Sequence, residues 1–334
     1  MGGTDPFLLV CVADADGAPP FGGIGNPCLA TILIDQNTLL GFIGAGDITE
    51  IANEVDAEIL PKLAAEFRIN DDVLLFASAA KGIRNGGINS AFVLSAAEVD
   101  DSLLGFGQDE LWSYEFGVKS LLLGGDLLLN ATVFHNVWSD IQVLLGTSAG
   151  SLFVNAPEAE SDGIEIESLW RVSERLDLFA NAGYTRAEFS EETILATAEA
   201  QAINDFFGIP SPIIREGNKL PNVPEWTYSV GLDWHFPLNV RDLGFRARLD
   251  YQYIDERFTG ATNDAATMLD SYGLANVRVG VEGESWALTG YVTNATNEIS
   301  AQALTRVGGG ATAQTLFYLN RPRSFGLNFV KKFE

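Results

Sequence analysis

The sequence predicts an all-β protein: a transmembrane antiparallel β-barrel of the outer-membrane type, here a partial barrel of about 11–12 strands. Three observations predict it. Composition is the first: of 334 residues only 19% are charged, 34 are Gly and 10% are aromatic, against about 25% charged in soluble domains. No run of about 18 apolar residues is present to cross a bilayer as a helix. The second is alternation of apolar and polar residues in segments of about ten from residue 60 onward, the mark of strands with two unlike faces. The third is that the connections alternate short and long, as periplasmic turns and extracellular loops do in such barrels.

Charge narrows the function classes. Lys+Arg number 20 and Asp+Glu 45, a net −25, which argues against nucleic acid because phosphate binding needs a basic face. Two His and two Cys exclude a zinc-finger array or a disulfide scaffold.

Residues 1–58 read as an irregular arm with one possible strand at 29–43, and residues 59–334 as the barrel strands. The first six residues lack the basic start of a signal peptide. Leu8-Leu9-Val10-Cys11 has no preceding cation to support lipidation, and Pro6 stands where N-myristoylation wants Ser or Thr. The chain is therefore expected to begin within a longer protein, a point the upstream reading frame tests. Leu39 to Ile48 resembles the opening of a dinucleotide site, but Thr49 stands where the third Gly of the motif belongs and no βαβ unit follows. Cys11 and Cys28, in a Gly/Pro-rich stretch, are a candidate disulfide in an oxidising compartment.

Strands are expected at 60–69, 73–81, 111–123, 127–143, 161–171, 176–188, 225–236, 244–256, 271–282, 286–294 and 323–333. The clearest puts Trp226, Tyr228, Val230, Leu232, Trp234 and Phe236 on one face, with Thr227, Ser229, Gly231, Asp233 and His235 on the other. Rings at both ends and aliphatics between suit a lipid-facing surface, because amphipathic rings settle at the two interfaces. The next strand repeats the scheme, with Phe245, Ala247, Leu249, Tyr251 and Tyr253 outside and Arg246, Arg248, Asp250 and Gln252 inside. Trp112 and Tyr114 complete the expected membrane-interface aromatics. At the C-terminus Phe325, Leu327, Phe329 and Phe333 share one face of a strand that follows a long loop. An odd eleven strands cannot close antiparallel; segment 29–43 would supply a twelfth.

His135 and His235 have no metal-spaced partners, and Val137 and Pro237 stand where a barrel phospholipase carries Ser. No catalytic, metal or cofactor site is expected. Arg84, Arg246 and Arg248 are inward or loop-proximal cations in an acidic chain, suited either to holding an anionic ligand or to balancing carboxylates across strands.

Several segments together resemble one family. Pro61–Arg68, Asn70–Ser78 and Lys81–Gly87 are similar to mid-barrel strands of TonB-dependent outer-membrane receptors. So are the strand opening Leu111-Trp112-Ser113-Tyr114-Glu115-Phe116-Gly117-Val118-Lys119, the run Ala159–Glu167, the motif Val292–Glu298 and the terminal Arg323–Phe333. The resemblance covers about residues 60–333 and implies the C-terminal half of a 22-stranded barrel in the bacterial outer membrane. It also implies uptake of a ferric siderophore or similar nutrient, no reaction performed, and contact with TonB only through a plug domain outside these residues. Outer-membrane lipid and lipopolysaccharide are the expected surroundings; acidic loop residues such as Glu191, Glu192, Glu199, Asp205 and Glu216 are expected either to stay solvated or to bridge lipopolysaccharide through divalent cations. Two departures stand out: Glu334 follows the terminal Phe, and Lys331 occupies a position usually aromatic. The alternative is a self-standing passive pore or structural barrel of twelve strands.

Overall fold

A computed structural model describes residues 59–89, 105–147, 150–194, 213–238, 240, 242–307 and 314–333, together with the backbone of strands at 9–11 and 31–33. The chain forms two compact units, Met1–Ala57 with Gly87–Phe106, and Glu58–Gly86 with Gly107–Glu334. In the first, Leu9–Cys11 pairs with Thr31–Leu33, and Gly87–Ile88 pairs with Gly105–Phe106. The rest of segment 29–43, the glycine motif near residue 41 and the side chains of Cys11 and Cys28 lie outside the described residues.

The second unit is built on one 11-stranded antiparallel sheet. Its strands are β1 (Lys62–Asn70), β2 (Val73–Arg84), β3 (Asp109–Leu122), β4 (Leu127–Ser139), β5 (Glu158–Ser173), β6 (Leu176–Phe189), β7 (Trp226–Pro237), β8 (Gly244–Ile254), β9 (Tyr272–Glu282), β10 (Trp286–Thr293) and β11 (Ser324–Lys331). Neighbours in sequence are neighbours in the sheet, from β1 at one edge to β11 at the other. Among the described residues this sheet has eleven strands, within the expected 11–12, and Thr31–Leu33, part of the segment expected to supply a twelfth, pairs outside it.

Register follows the side-chain pattern. Across β7 and β8, Tyr228 faces Tyr253, Leu232 faces Leu249 and Phe236 faces Phe245, while Asp233 faces Arg248 and His235 faces Arg246. Because the pleat has period two, a one-residue slip would move every apolar side chain to the polar face, so the pattern fixes the pairing. Short turns at 71–72, 123–126, 174–175, 238–243 and 283–285 lie at one end of the sheet, and the long connections at the other. Gly124 and Gly125, at φ 70° and 99°, allow the β3–β4 turn to reverse within its few residues. On the polar face an aromatic ring covers a glycine directly opposite: Phe134 over Gly163 and Phe179 over Gly231. A Cβ at either glycine would meet that ring and a neighbouring carbonyl oxygen.

The buried core of this unit lies among the long connections. Ile141, Val143, Ala156, Ala159, Ala187, Phe189, Ile214, Leu220 and Ala261 pack together there, with Trp138, Val154 and Val223 against them. Backbone pairing locks the loops to one another: the Lys219 amide donates to Asn263 Oδ1 at 2.6 Å, and Asn263 Nδ2 donates back to the Lys219 carbonyl at 2.9 Å. The loops contain short hairpins that the sequence pattern missed, at Gln142–Thr147 with Gly150–Asn155 and at Ala301–Val307 with Gln314–Leu319. The expected strand 127–143 ends at Ser139 because Asp140 turns the chain at φ 54°.

Candidate functional site

On the polar face, β7, β8 and β9 carry a ladder of arginines and aspartates. Arg246 donates twice to Asp233, from Nε to Oδ1 at 2.9 Å and from Nη2 to Oδ2 at 2.6 Å. Arg248 Nε donates to Asp250 Oδ1 at 2.7 Å and approaches Asp233 at 3.9 Å. Its guanidinium also lies 4.8 Å from the centre of the Phe179 ring. Arg278, directly opposite Arg248, approaches Asp250 at 3.9 Å. Asp233 and the three arginines border an open cleft of about 620 Å³ along the polar face, continued by Thr289, Tyr291 and Asn328 on the next two strands. Asp233 is almost buried, whereas the Arg246 and Arg278 side chains are half-exposed toward the cleft.

Arg84 lies elsewhere. It closes β2 at the long-loop end, whereas Arg246 and Arg248 lie near the short-turn end of β8. A strand advances about 3.3 Å per residue, so the three arginines belong to two sites. Arg84 Nε donates to Asp109 Oδ2 at 2.9 Å and its Nη2 binds the same oxygen, while its guanidinium rests on the Trp138 ring at 4.7 Å. Asp109, 1% exposed, also accepts from the Gln142 amide at 3.1 Å. The Gln142 side chain in turn donates to the Asn85 and Gly107 carbonyls, each at 3.0 Å. Arg84 thus fastens the Gln142 hairpin to the wall.

The opposite face of the sheet is apolar, and its rings gather at two levels. At the loop end, Trp112 stacks on Tyr114, Tyr184 packs on Trp226 at 4.9 Å, and Tyr228 stacks on Tyr253 at 4.8 Å, with Tyr251 beside them. At the turn end, Trp234, Phe236 and Phe245 form a chain with centroids 5.1 and 4.9 Å apart. From Trp226 to Phe236 the strand rises about 33 Å, which at a tilt of about 40° gives a height of about 25 Å, the apolar band of an outer-membrane barrel. Phe325, Leu327 and Phe329 face Val292, Gly290 and Leu288 on this same surface; Phe333 lies beyond the strand end. Lys331 is also on it, opposite Trp286, and carries its ammonium to Ser285 Oγ at 2.7 Å in the turn. That geometry accommodates a cation at the membrane boundary. His135 Nδ1 donates to Asp162 Oδ1 at 2.8 Å at the loop end of the apolar face, and among the described residues no His, Cys, Asp or Glu cluster is arranged to hold a metal ion.

Sequence reasoning named Arg246 and Arg248 but not the aspartates as their partners, nor Arg278. Polar parity on three successive strands was the available signal. Asp109, Trp138 and Gln142 offered none, because their association depends on loops whose path the periodicity does not set.

Residues 39–295 match the model of a protein family described as TonB dependent receptor-like, beta-barrel. The Pesticin receptor of Yersinia enterocolitica is 26% identical over 208 residues, 62% of this chain and 27% of its own length. That of Yersinia pestis is 23% identical over the same shares. Among solved structures, the ferric yersiniabactin uptake receptor FyuA from Yersinia pestis superposes with a TM-score of 0.63 at 21% identity, covering 84% of this chain and 38% of its own. The siderophore receptor PiuA from Acinetobacter baumannii gives 0.58 at 16% identity, covering 81% and 35%. The ferric citrate transporter FecA gives 0.57 at 15% identity, covering 82% and 38%. The chain therefore spans less than two fifths of each of these relatives.

Proposed function

Because the chain belongs to the TonB-dependent receptor-like β-barrel family, proteins of the bacterial outer membrane, we propose that it forms barrel wall and extracellular loops of a receptor that takes up a ferric siderophore or similar nutrient. The observation that carries this reading is the family match over residues 39–295 on a sheet apolar on one face and ion-paired on the other. FyuA, a ferric yersiniabactin uptake receptor, PiuA, a siderophore receptor, and FecA, a ferric citrate transporter, support the same ligand class. In this reading the short turns face the periplasm, the loop core faces the medium, and the apolar face meets lipid and lipopolysaccharide. TonB contact belongs to a plug domain in the full-length receptor. The chain needs no cofactor and performs no reaction.

A self-standing twelve-stranded pore is the other reading. It requires a twelfth strand in the sheet, and the described residues supply eleven. Iron-limited growth of the source bacterium separates the two. Deleting these codons from the gene is expected to abolish growth on one ferric siderophore and to leave small-solute permeability unchanged. Unchanged growth on every siderophore, with altered solute permeability, would overturn the receptor reading.

A further inference from the structure

We propose that aromatic rings seated on glycines act as register pins for the sheet, one at each pair of strands joined by a long connection. Phe76 lies over Gly117 between β2 and β3, and Phe134 over Gly163 between β4 and β5. Phe179 lies over Gly231 between β6 and β7, and Tyr291 over Gly326 between β10 and β11. Between β8 and β9 the Tyr251 hydroxyl reaches diagonally over Gly273, on the apolar face. A Cβ at any of these glycines would fall inside van der Waals contact of the ring or its hydroxyl. The chain between those strand pairs runs through 85–108, 140–157, 190–225, 255–271 and 294–323. Among the described residues the pairs closed by short turns are built otherwise. Gly280 of β9 meets the Thr289 hydroxyl of β10, and Trp286 covers Gly283 within the β9–β10 turn itself.

The division has a physical reason. A tight turn sets the register of the strands it joins, whereas a long connection leaves it free until the loop core forms, because closure entropy changes only slowly with length. A slip of one residue is barred everywhere by the two unlike faces. A slip of two keeps every side chain on its own face, so something else must bar it. The rings do so. Moved by two, Phe76 would oppose Glu115 or Lys119 in place of Gly117, and Phe179 would oppose Ser229 or Asp233 in place of Gly231. Likewise Phe134 would meet Ser161 or Glu165, and Tyr291 would meet Ser324 or Asn328. Each of those residues carries the Cβ for which the seated ring leaves no space. Two rings are held further by cations: Lys119 Nζ lies 5.3 Å from the centre of Phe76, and the Arg248 guanidinium 4.8 Å from that of Phe179. The pins serve assembly of the wall and do not depend on what it transports.

The test uses the full chain refolded in lipid vesicles, with Cys11→Ser and Cys28→Ser, and reads the register of β6 against β7 by disulfide formation. Asn181→Cys with Ser229→Cys reports the observed pairing. Asn181→Cys with Thr227→Cys, and Asp177→Cys with His235→Cys, report a slip of two in either direction. Phe179→Ala should raise one of the slipped disulfides at least about tenfold, and Gly231→Ala should do the same by unseating the ring. Phe179→Tyr should keep the observed pairing. Phe245→Ala removes a ring from the β7–β8 pair, which a short turn closes, and should give no slip there, read by Ser229→Cys with Asp250→Cys or with Ile254→Cys. The observed disulfide alone in Phe179→Ala, or a slip of equal size in Phe245→Ala, overturns the proposal. So does loss of every disulfide in both Phe179→Ala and the milder Phe179→Leu, because strands freed of a pin stay paired.

Discussion

Asp109 shows how a single side chain holds a loop to the wall. Its carboxylate is 1% exposed and receives Arg84 through two nitrogens and the amide of Gln142. Asp109→Ala would strand these donors, and because Arg84 is half-exposed and can turn to water, the expected cost is about 2–3 kcal/mol. Urea unfolding in detergent measures it, and Asp109→Asn should lose less. Lys219 gives a pH signature from the loops. Its hydrogen bond to Glu225, at 2.7 Å, raises its pKa above the ordinary 10.5, with partial burial opposing. A raised lysine pKa means the folded state holds the proton more tightly than the unfolded chain. The contribution is therefore complete below pH 10.5 and lost as pH rises through the shifted value. Thermal melts of wild type and Lys219→Gln should differ at neutral pH and converge in strong alkali.

At the level of the strand, the division into two faces makes a paired prediction on β7. Val230→Arg puts a cation in mid-band on the apolar face and should cost about 2–4 kcal/mol. Ser229→Arg, one residue away on the polar face, should stay within about 0.5 kcal/mol. Equal effects in lipid vesicles would contradict the assignment of faces. The strands were legible in the sequence for this same reason. Trp226–Pro237 and Leu176–Phe189 fall within a residue of their expected bounds, because a membrane on one side and polar partners on the other write a period of two into every turn of the chain. The loop core was not legible. Ile141, Ile214 and Ala261 come from three separate connections and meet Phe189 at the end of β6, and nothing local to any of them announces the other three. The arginines were legible as polar-face residues, but which carboxylate each would take depended on register across turns, and Arg84 and Arg246 were grouped by charge when strand ends keep them apart.

For the molecule as a whole, the two ends of the sheet are the weakest places. Every residue of β1 is exposed, and β11 is nearly so. In detergent, amide exchange should be fast along the outer side of Lys62–Asn70 and Ser324–Lys331 and slowest in β5 and β6, each hydrogen-bonded on both sides. Uniform protection across all eleven strands would mean that the ends have found partners.

Parity governs what those partners can be. In an antiparallel meander of odd count the two rims point the same way, so a twin of this chain inserted with the same side up would offer each rim a ribbon of like polarity. Such a seam would have to be parallel at both junctions, which forfeits the paired, perpendicular bonding that runs through the rest of the sheet. A cylinder stitched antiparallel all the way round needs a counterpart whose bordering ribbons travel in the reverse sense.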